Sequence, residues 1–380
     1  MKRGLRCHSH LVLTVLLFVF GSFFLSCQAD RPEAAHTRGL VDTVGFAHTP
    51  LQMSKIIQRV NEKYGQQQQS VFRFLRLNDN TSFPLAIAPH DDYTYAADVY
   101  NYIMPFMRAP VLILFGVAHR AKQFNARDKI VFGSFKYWTG PYGPVPVSSL
   151  REKIMSRLPK DAYIVNDSLQ AAEHSLEAFI PFLQYYHRKV QIVPILVPYM
   201  RFEDMSRIAG VLSKAIGEAT DSQGMKWGPD FAMLISTDCV HYGDQNWGGR
   251  NFAFYGSDSA GYRQALRHEM DIIENSLAFS LDSARVHQFY RYTLQENDYQ
   301  KYKWTWCGRY SVPFGLLTAY FLSQEKPRQE LMGTPLKYST SIEHSPIPVK
   351  DLKMGVTAPA NLHHWVGYVA MAYTLIVHNH

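Results

Sequence analysis

The chain has little cysteine, little charge and no apolar run of membrane-spanning length. Its 380 residues include 4 cysteines, and only Cys239 and Cys307 lie beyond the N-terminal leader. At most one disulfide in a chain this long excludes a disulfide-built scaffold and leaves two thiols for packing, redox chemistry or ligation. Charged residues make up 19% of the sequence, against 47% apolar, so the chain can bury a sizeable core. The formal charge is +7, but Lys2, Arg3 and Arg6 belong to the leader; without them 36 of the 39 basic residues face 32 acidic ones, a balance of +4. No Lys/Arg cluster carries interleaved aromatics, so no nucleic-acid partner is expected. Neither a Gly-x-Ser-x-Gly elbow nor a P-loop is present, which leaves serine hydrolase and nucleotide hydrolase readings without support. Nor is there an internal repeat, or a domain boundary after residue 45.

The N-terminus reads as an export signal. Lys2, Arg3 and Arg6 precede a mainly apolar stretch of 15 residues, 11–25. This is short of the about 20 residues a spanning helix needs. It ends in Phe24-Leu25-Ser26-Cys27, followed by polar Gln28-Ala29-Asp30. That arrangement resembles a bacterial lipobox, in which Cys27 is lipidated and becomes the mature N-terminus. An ordinary cleaved signal and an uncleaved anchor are the alternatives. The expectation is therefore an exported protein of the bacterial cell envelope, membrane-bound through a lipid, with residues 28–45 as a tether and 46–380 as one folded domain.

What the chain does have is a recurring device: an apolar run that stops at a metal-capable residue. It occurs as Phe83-Pro-Leu-Ala-Ile-Ala-Pro-His90, as Val111-Leu-Ile-Leu-Phe-Gly-Val-Ala-His119 and as Phe231-Ala-Met-Leu-Ile-Ser-Thr-Asp238, with His241 three residues on. Continuous apolar runs of this length read as buried parallel strands, and ligands in open α/β sheets bind at the carboxyl ends of such strands. Helical patterns alternate with them. Thr49-Pro50 opens a helix that Gly65 should end, with residues 66–69 as a loop. Further helices are expected near 96–107, 149–157, 204–219, 257–275 and 281–291. Asp167-Ser-Leu-Gln170 has capping-box spacing, and Glu173-His174 should open a helix to about Tyr186. Cys307 lies in a turn before a helix at 312–322, where the dipole would favour a thiolate. The last segments, 335–342 and 365–377, read as strands. The order predicts a single α/β domain with a central, mostly parallel or mixed sheet flanked by helices.

Six motifs stand in one order: Ala88-Pro-His90-Asp-Asp-Tyr-Thr-Tyr95, Leu114-Phe-Gly-Val-Ala-His119, Glu173-His-Ser-Leu-Glu177, Ile192-Val-Pro-Ile-Leu-Val197, Ser236-Thr-Asp-Cys-Val-His241 and Cys307-Gly-Arg309. In that order they resemble the Memo family, whose prokaryotic members are called AmmeMemoRadiSam system protein B. The resemblance covers about residues 45–380. It implies a fold like that of the class III extradiol dioxygenases and a pocket lined by His90, His119, Cys307, Asp238 and His241. It also implies a redox-active metal, iron or copper. The chain departs from the family pattern at Asp91 and Asp92, where Ala-Gly is usual, at Ala96-Ala97, and at Arg120, where a second His is usual. The departures mark where the pocket should be more charged.

Residue chemistry agrees with that implication. His90 or His119 alone would read as a hydrogen-bonded core histidine; with Asp238, His241 and Cys307 they make a site. Two imidazoles with a carboxylate suit iron, and two imidazoles with a thiolate suit copper or zinc. Asp238 and His241 are candidates for proton transfer or for orienting a ligand. Asp91, Tyr93, Glu173 and His174 are candidate pocket residues, Tyr93 and Tyr95 facing one way if their segment is extended. Cys239 reads as packing, and His363, His364, His378 and His380 as incidental. The leading function is a metal-dependent oxidoreductase. A metal- or ligand-binding module without turnover, taking a small molecule or peptide, is the alternative from another class. Hydrolysis by metal-activated water is a third reading.

Overall fold

The structure is a computed structural model, and it describes residues 36–325 and 329–377. The leader, Cys27, residues 28–35, His378 and His380 lie outside the described residues.

Nine strands form the backbone of the central sheet: β1 (Leu85–Ala88), β2 (Val111–Val117), β3 (Ile130–Phe132), β4 (Tyr163–Val165), β5 (Gln191–Val197), β6 (Phe231–Ser236), β7 (Phe279–Ser280), β8 (Gln329–Thr340) and β9 (Trp365–Val377). Their order across the sheet is β7-β8-β9-β1-β6-β2-β5-β3-β4, and the short strand His241–Tyr242 pairs with the start of β9. The four strands β1, β6, β2 and β5 are mutually parallel. β9 runs antiparallel to β1, β8 to β9, and β3 to β5. The sheet is thus parallel at its centre and turns antiparallel on either side, while the outermost pair β3–β4 is again parallel.

Alternation along the central strands splits the core into two layers. Leu85, Ile87, Ile113, Phe115, Met233 and Ile235 face one side, where the helices Phe202–Asp221 and Ser311–Gln324 cover them. Ala86, Ala88, Leu112, Leu114, Ala232 and Leu234 face the other, under Pro50–Phe74, Tyr93–Tyr100 and Ile180–Tyr186. Strands covered on both faces need apolar residues at every position, which is why these segments read as unbroken apolar runs. Each Leu or Ile so buried contributes roughly 1.5–3 kcal/mol.

The structure corrects five local expectations. The first helix runs through Gly65 to Phe74, so residues 66–69 are helical rather than a loop. Gln68 is buried there and accepts from Asn101 Nδ2 at 2.9 Å, a tertiary contact that outweighs one glycine. The second helix starts at Tyr93, three residues early, and ends at Tyr100; a 3-10 turn at Met104–Phe106 follows, where Pro105 stands. The helix after 166 is capped by Asn166, whose side chain accepts from Leu169 N, and not by Asp167. Glu173 does not open a helix. It ends the Asp167–Ala172 helix in extended conformation, and the next helix begins at Ile180 after a 3-10 turn.

The fifth correction concerns the tether. Its described part, residues 36–45, is built into the fold. Thr37–Arg38 pairs in parallel with Tyr137–Trp138. The Arg38 guanidinium is fully buried over the Trp138 ring, pairs with Glu177 at 2.6 Å and donates to the Gln170 and Glu173 carbonyls. Glu177 in turn accepts from the Val41 and Asp42 amides. This strap locks the segment that carries Glu173.

Candidate metal centre

β1, β2 and β6 end side by side, Ala88 opposite Ser236 and Phe115 opposite Ile235. Two residues past each strand end stand His90, His119 and Asp238. Cys307 arrives from the other direction, on the turn before the Ser311–Gln324 helix. Gly308 permits that approach: a Cβ there would sit 2.1 Å from Thr237 Oγ1, the atom that accepts from Gly308 N. Among the described residues three groups could hold a metal ion, each with its ligand atoms within 4.8 Å of one another: His90/His119/Cys307, Asp238/His241/Cys307 and His119/Glu173/His174.

The hydrogen bonds fix which nitrogen each imidazole presents. Ser236 Oγ gives its one proton to the Ser175 carbonyl at 2.7 Å, because a carbonyl only accepts. It must therefore accept from His90 Nδ1 at 2.8 Å. His90 Nε2 is left as a lone pair pointing at Cys307 Sγ, 3.5 Å away, and at Asp238 Oδ2, 3.4 Å away. Tetrahedral ligation with ordinary bond lengths separates N and S by about 3.6 Å and N and O by about 3.4 Å. His119 is pinned the same way by Glu173, whose Oε1 accepts from Nδ1 at 2.9 Å and whose Oε2 accepts from the His119 amide at 2.7 Å. An acceptor on the outer nitrogen is the usual support of a metal-binding imidazole.

Protonation agrees with ligation. Burial, with His119, His174 and His241 around it, pushes His90 well below the ordinary imidazole range. Burial and neighbouring imidazoles also bring His174 down to about 4 and His241 to about 3. Burial opposes the Glu173 charge, but His119, His174 and the Ser175 amide outweigh it and hold the carboxyl down to about 2. Burial and then the Asp91 charge push Asp238 well up, so a cation in its reach would be strongly favoured. His241 Nε2 is buried with no hydrogen-bond partner and lies 3.9 Å from Asp238 Oδ2. Neutral imidazoles, an unmatched buried carboxyl and an orphaned nitrogen make a donor set that fits a metal ion.

The thiol expectation needs correction. Burial and Asp238 push the Cys307 thiol well above its ordinary value. The helix starts four residues on, beyond the reach of its dipole. Sγ instead accepts from the Asp238 amide at 3.0 Å. As a ligand this thiol would be held as thiolate by the charge of the metal rather than by the helix dipole, its proton released to solvent. Cys239 faces away into the core, as a packing residue should.

A cavity of about 340 Å³ opens over His90, Asp238 and His241, and His174, Asp91 and Asp92 also line it. Asp91 accepts from the Tyr368 hydroxyl at 2.6 Å, and Asp92 from the Thr357 amide and hydroxyl. Burial and Asp91 raise Asp92 to about 7. Tyr93 does not line the cavity. Because its segment is helical rather than extended, its hydroxyl turns inward to the Ala178 carbonyl, while Tyr95 reaches the Ala358 carbonyl. Arg120 is exposed and does not line this cavity. Glu173 stands behind His119 rather than in the wall.

His364, expected to be incidental, is buried in that wall. Its ring stacks on Trp247 at 3.7 Å, its Nδ1 donates to the Gln245 carbonyl, and its Nε2 has no partner. The signal for it was the strand that follows: β9 pairs with His241–Tyr242, which carries His364 beside His241. Asp42, from the strap, completes the wall and had no local signal at all.

The family profile of Memo-like proteins matches residues 54–347. This chain belongs to the Memo family. A MEMO1 family protein of Pyrococcus horikoshii is 28% identical over 278 residues, 69% of this chain and 81% of that protein. One from Pyrococcus abyssi is 30% identical over 165 residues, 41% of this chain and 52% of its own length. One from Thermotoga petrophila is 29% identical over 164 residues, 42% and 54% respectively. Membership agrees with the mixed α/β fold, and all six motifs that suggested it lie within the matched span.

Proposed function

We propose that this Memo-family protein holds a redox-active metal, iron or copper, and acts as a metal-dependent oxidoreductase. The observation that carries the proposal is the pair of pinned imidazoles. His90 and His119 each spend Nδ1 on a fixed acceptor; His90 turns Nε2 towards Cys307, and a ligand atom of each of the three lies within 4.8 Å of the others. His90, His119 and Cys307 would hold the ion, and zinc would satisfy the same donors without redox chemistry. When bound, such a metal supplies electron transfer or activation of a small oxidant. Asp238 and His241 would move or hold a proton: the carboxyl is close to His241 and shielded from water. Elemental analysis of purified wild type beside His90→Ala, His119→Ala and Cys307→Ser tests this. Near-stoichiometric iron or copper in the wild type and its loss in the variants is expected. Metal-free wild type after anaerobic reconstitution refutes the centre. Oxygen uptake by the reduced metal form separates an oxidoreductase from a binding module, which would be silent with catechols and thiols alike.

The leader supports export and lipidation of Cys27 to a bacterial envelope membrane. No helix among the described residues is long and apolar enough to cross a membrane, so attachment would rest on the leader. Cys27→Ser should release the protein from the membrane fraction; unchanged fractionation refutes the anchor.

A further inference from the structure

A second cavity, about 590 Å³, opens on the other side of His119 and Cys307. The two cavities share His119 and differ in charge. The first carries Asp42, Asp91, Asp92 and Asp238. The second carries Lys122, Arg250, Lys301 and Arg309, with no acidic residue in its wall. Lys301 is neutralised by Asp298 at 3.3 Å. Among the described residues, Lys122, Arg250 and Arg309 form no ion pair with a carboxylate, although Lys122 is near enough to Asp298 to help hold its carboxyl down.

Arg309 is the best placed of these. Its guanidinium lies 3.9 Å from the Tyr302 ring centre and 4.7 Å from that of Tyr310, so two aromatic faces hold it flat. Its Nε is buried without a hydrogen-bond acceptor. A guanidinium held by two tyrosines, through their rings and their hydroxyls, offers its remaining donors as a fork for a carboxylate or phosphate. Arg309 is also two residues from Cys307 on one tight turn, so the fork and the thiol keep a fixed separation. Val117, Val197 and Phe252 supply apolar wall beside polar Tyr199, Gln295 and Gln300, and the volume suits a small molecule.

We propose that this cavity binds a small organic anion, its carboxylate or phosphate head on Arg309 with Arg250 and Lys122 in support. The apolar body lies along Val117, Val197 and Phe252, facing His119 and Cys307. This names a substrate class for the proposed centre and rests on that reading only for what the anion meets there, not for its binding.

Calorimetry on the full-length protein tests it, with benzoate and phenyl phosphate as probes and benzamide as the neutral isostere of benzoate. Both anions should bind, more weakly as salt rises, and benzamide should bind at least tenfold more weakly. Arg309→Gln should weaken the anions by about tenfold or more, as loss of a charged hydrogen bond does. Arg250→Gln, an exposed change that leaves folding intact, should weaken them severalfold and carries the test if Arg309→Gln does not fold. Absence of binding by both anions, equal affinity for benzamide, or unchanged affinity in the folded variants overturns the proposal. Metal content measured on the same preparations separates the two readings. Protein that stays metal-free after anaerobic reconstitution but binds anions through Arg309 supports the anion site and refutes the centre, whereas metal-loaded protein that binds neither anion overturns the anion site alone.

Discussion

His90 and His119 face one centre but are held by different materials. His90 is buried, and its Nδ1 rests on a neutral relay, Ser236 to the Ser175 carbonyl. The side chain of His119 is 32% exposed, and its Nδ1 rests on a carboxylate. The difference follows from the neighbours. Asp238 and Asp91 already crowd the His90 side, and a further carboxylate there would meet two others in a dry environment. On the His119 side the four donors that converge on Glu173 offset its burial. A carboxylate raises imidazole basicity more than a hydroxyl does, so the two ligands should differ in strength as well as in exposure.

Removing Glu173 breaks the comparison most severely. Glu173→Ala leaves the His119, His174 and Ser175 amides and the His119 ring without their acceptor in a buried place. We expect a loss of about 3–5 kcal/mol in denaturant unfolding and a fall of roughly 100-fold in metal affinity. Stability reduced by under 1 kcal/mol would mean that the donors find water.

The outcome bears on what the sequence could reveal. β1, β2 and β6 were legible because strands buried on both faces must be apolar throughout, and His90, His119 and Asp238 were legible because they interrupt those runs. Cys307 needed the family pattern, since nothing local ties a turn at 307 to strands more than seventy residues earlier. The part played by residues 36–45 was hidden for a related reason. A short polar stretch with glycines reads as a tether until Trp138, Glu173 and Glu177, a hundred residues on, are seen to enclose Arg38. Gly65 misled in the opposite sense: a local stop signal was overruled by Gln68 packing on Asn101. His364 was passed over because its value lies in the strand pairing that sets it beside His241.

Asp98 supplies the counter-case to Glu173. It is equally buried but lacks the neighbouring imidazoles and the four converging donors of Glu173; burial, helped by Glu343, raises it to about 6, with only Lys337 and local amides opposing. The folded state therefore binds this proton more tightly than the unfolded chain. Stability from this group is fully present below pH 3.8 and falls as pH rises to about 6. The fall should be about 3 kcal/mol at most. Asp98→Asn should remove that slope from stability measured between pH 4 and 7, while Glu173, lowered from 4.5 to about 2, contributes a slope of the opposite sign that dies away above about pH 5.5. An unchanged slope in the variant would mean that Asp98 is hydrated.

Ser236→Ala gives the smallest expected effect and the sharpest comparison. It removes one hydroxyl and leaves the His90 ring and a single carbonyl under-satisfied, without creating an unpaired charge. We expect a loss of about 1–2 kcal/mol and of about tenfold in metal affinity. The anion affinity of the second cavity should stay unchanged, because Arg309 does not touch this relay. Ser236→Thr keeps the hydroxyl and should recover most of the metal affinity if the added methyl is accommodated. A Ser236→Ala variant that loses as much metal affinity as Glu173→Ala would refute the asymmetry and make the buried imidazole the dominant ligand.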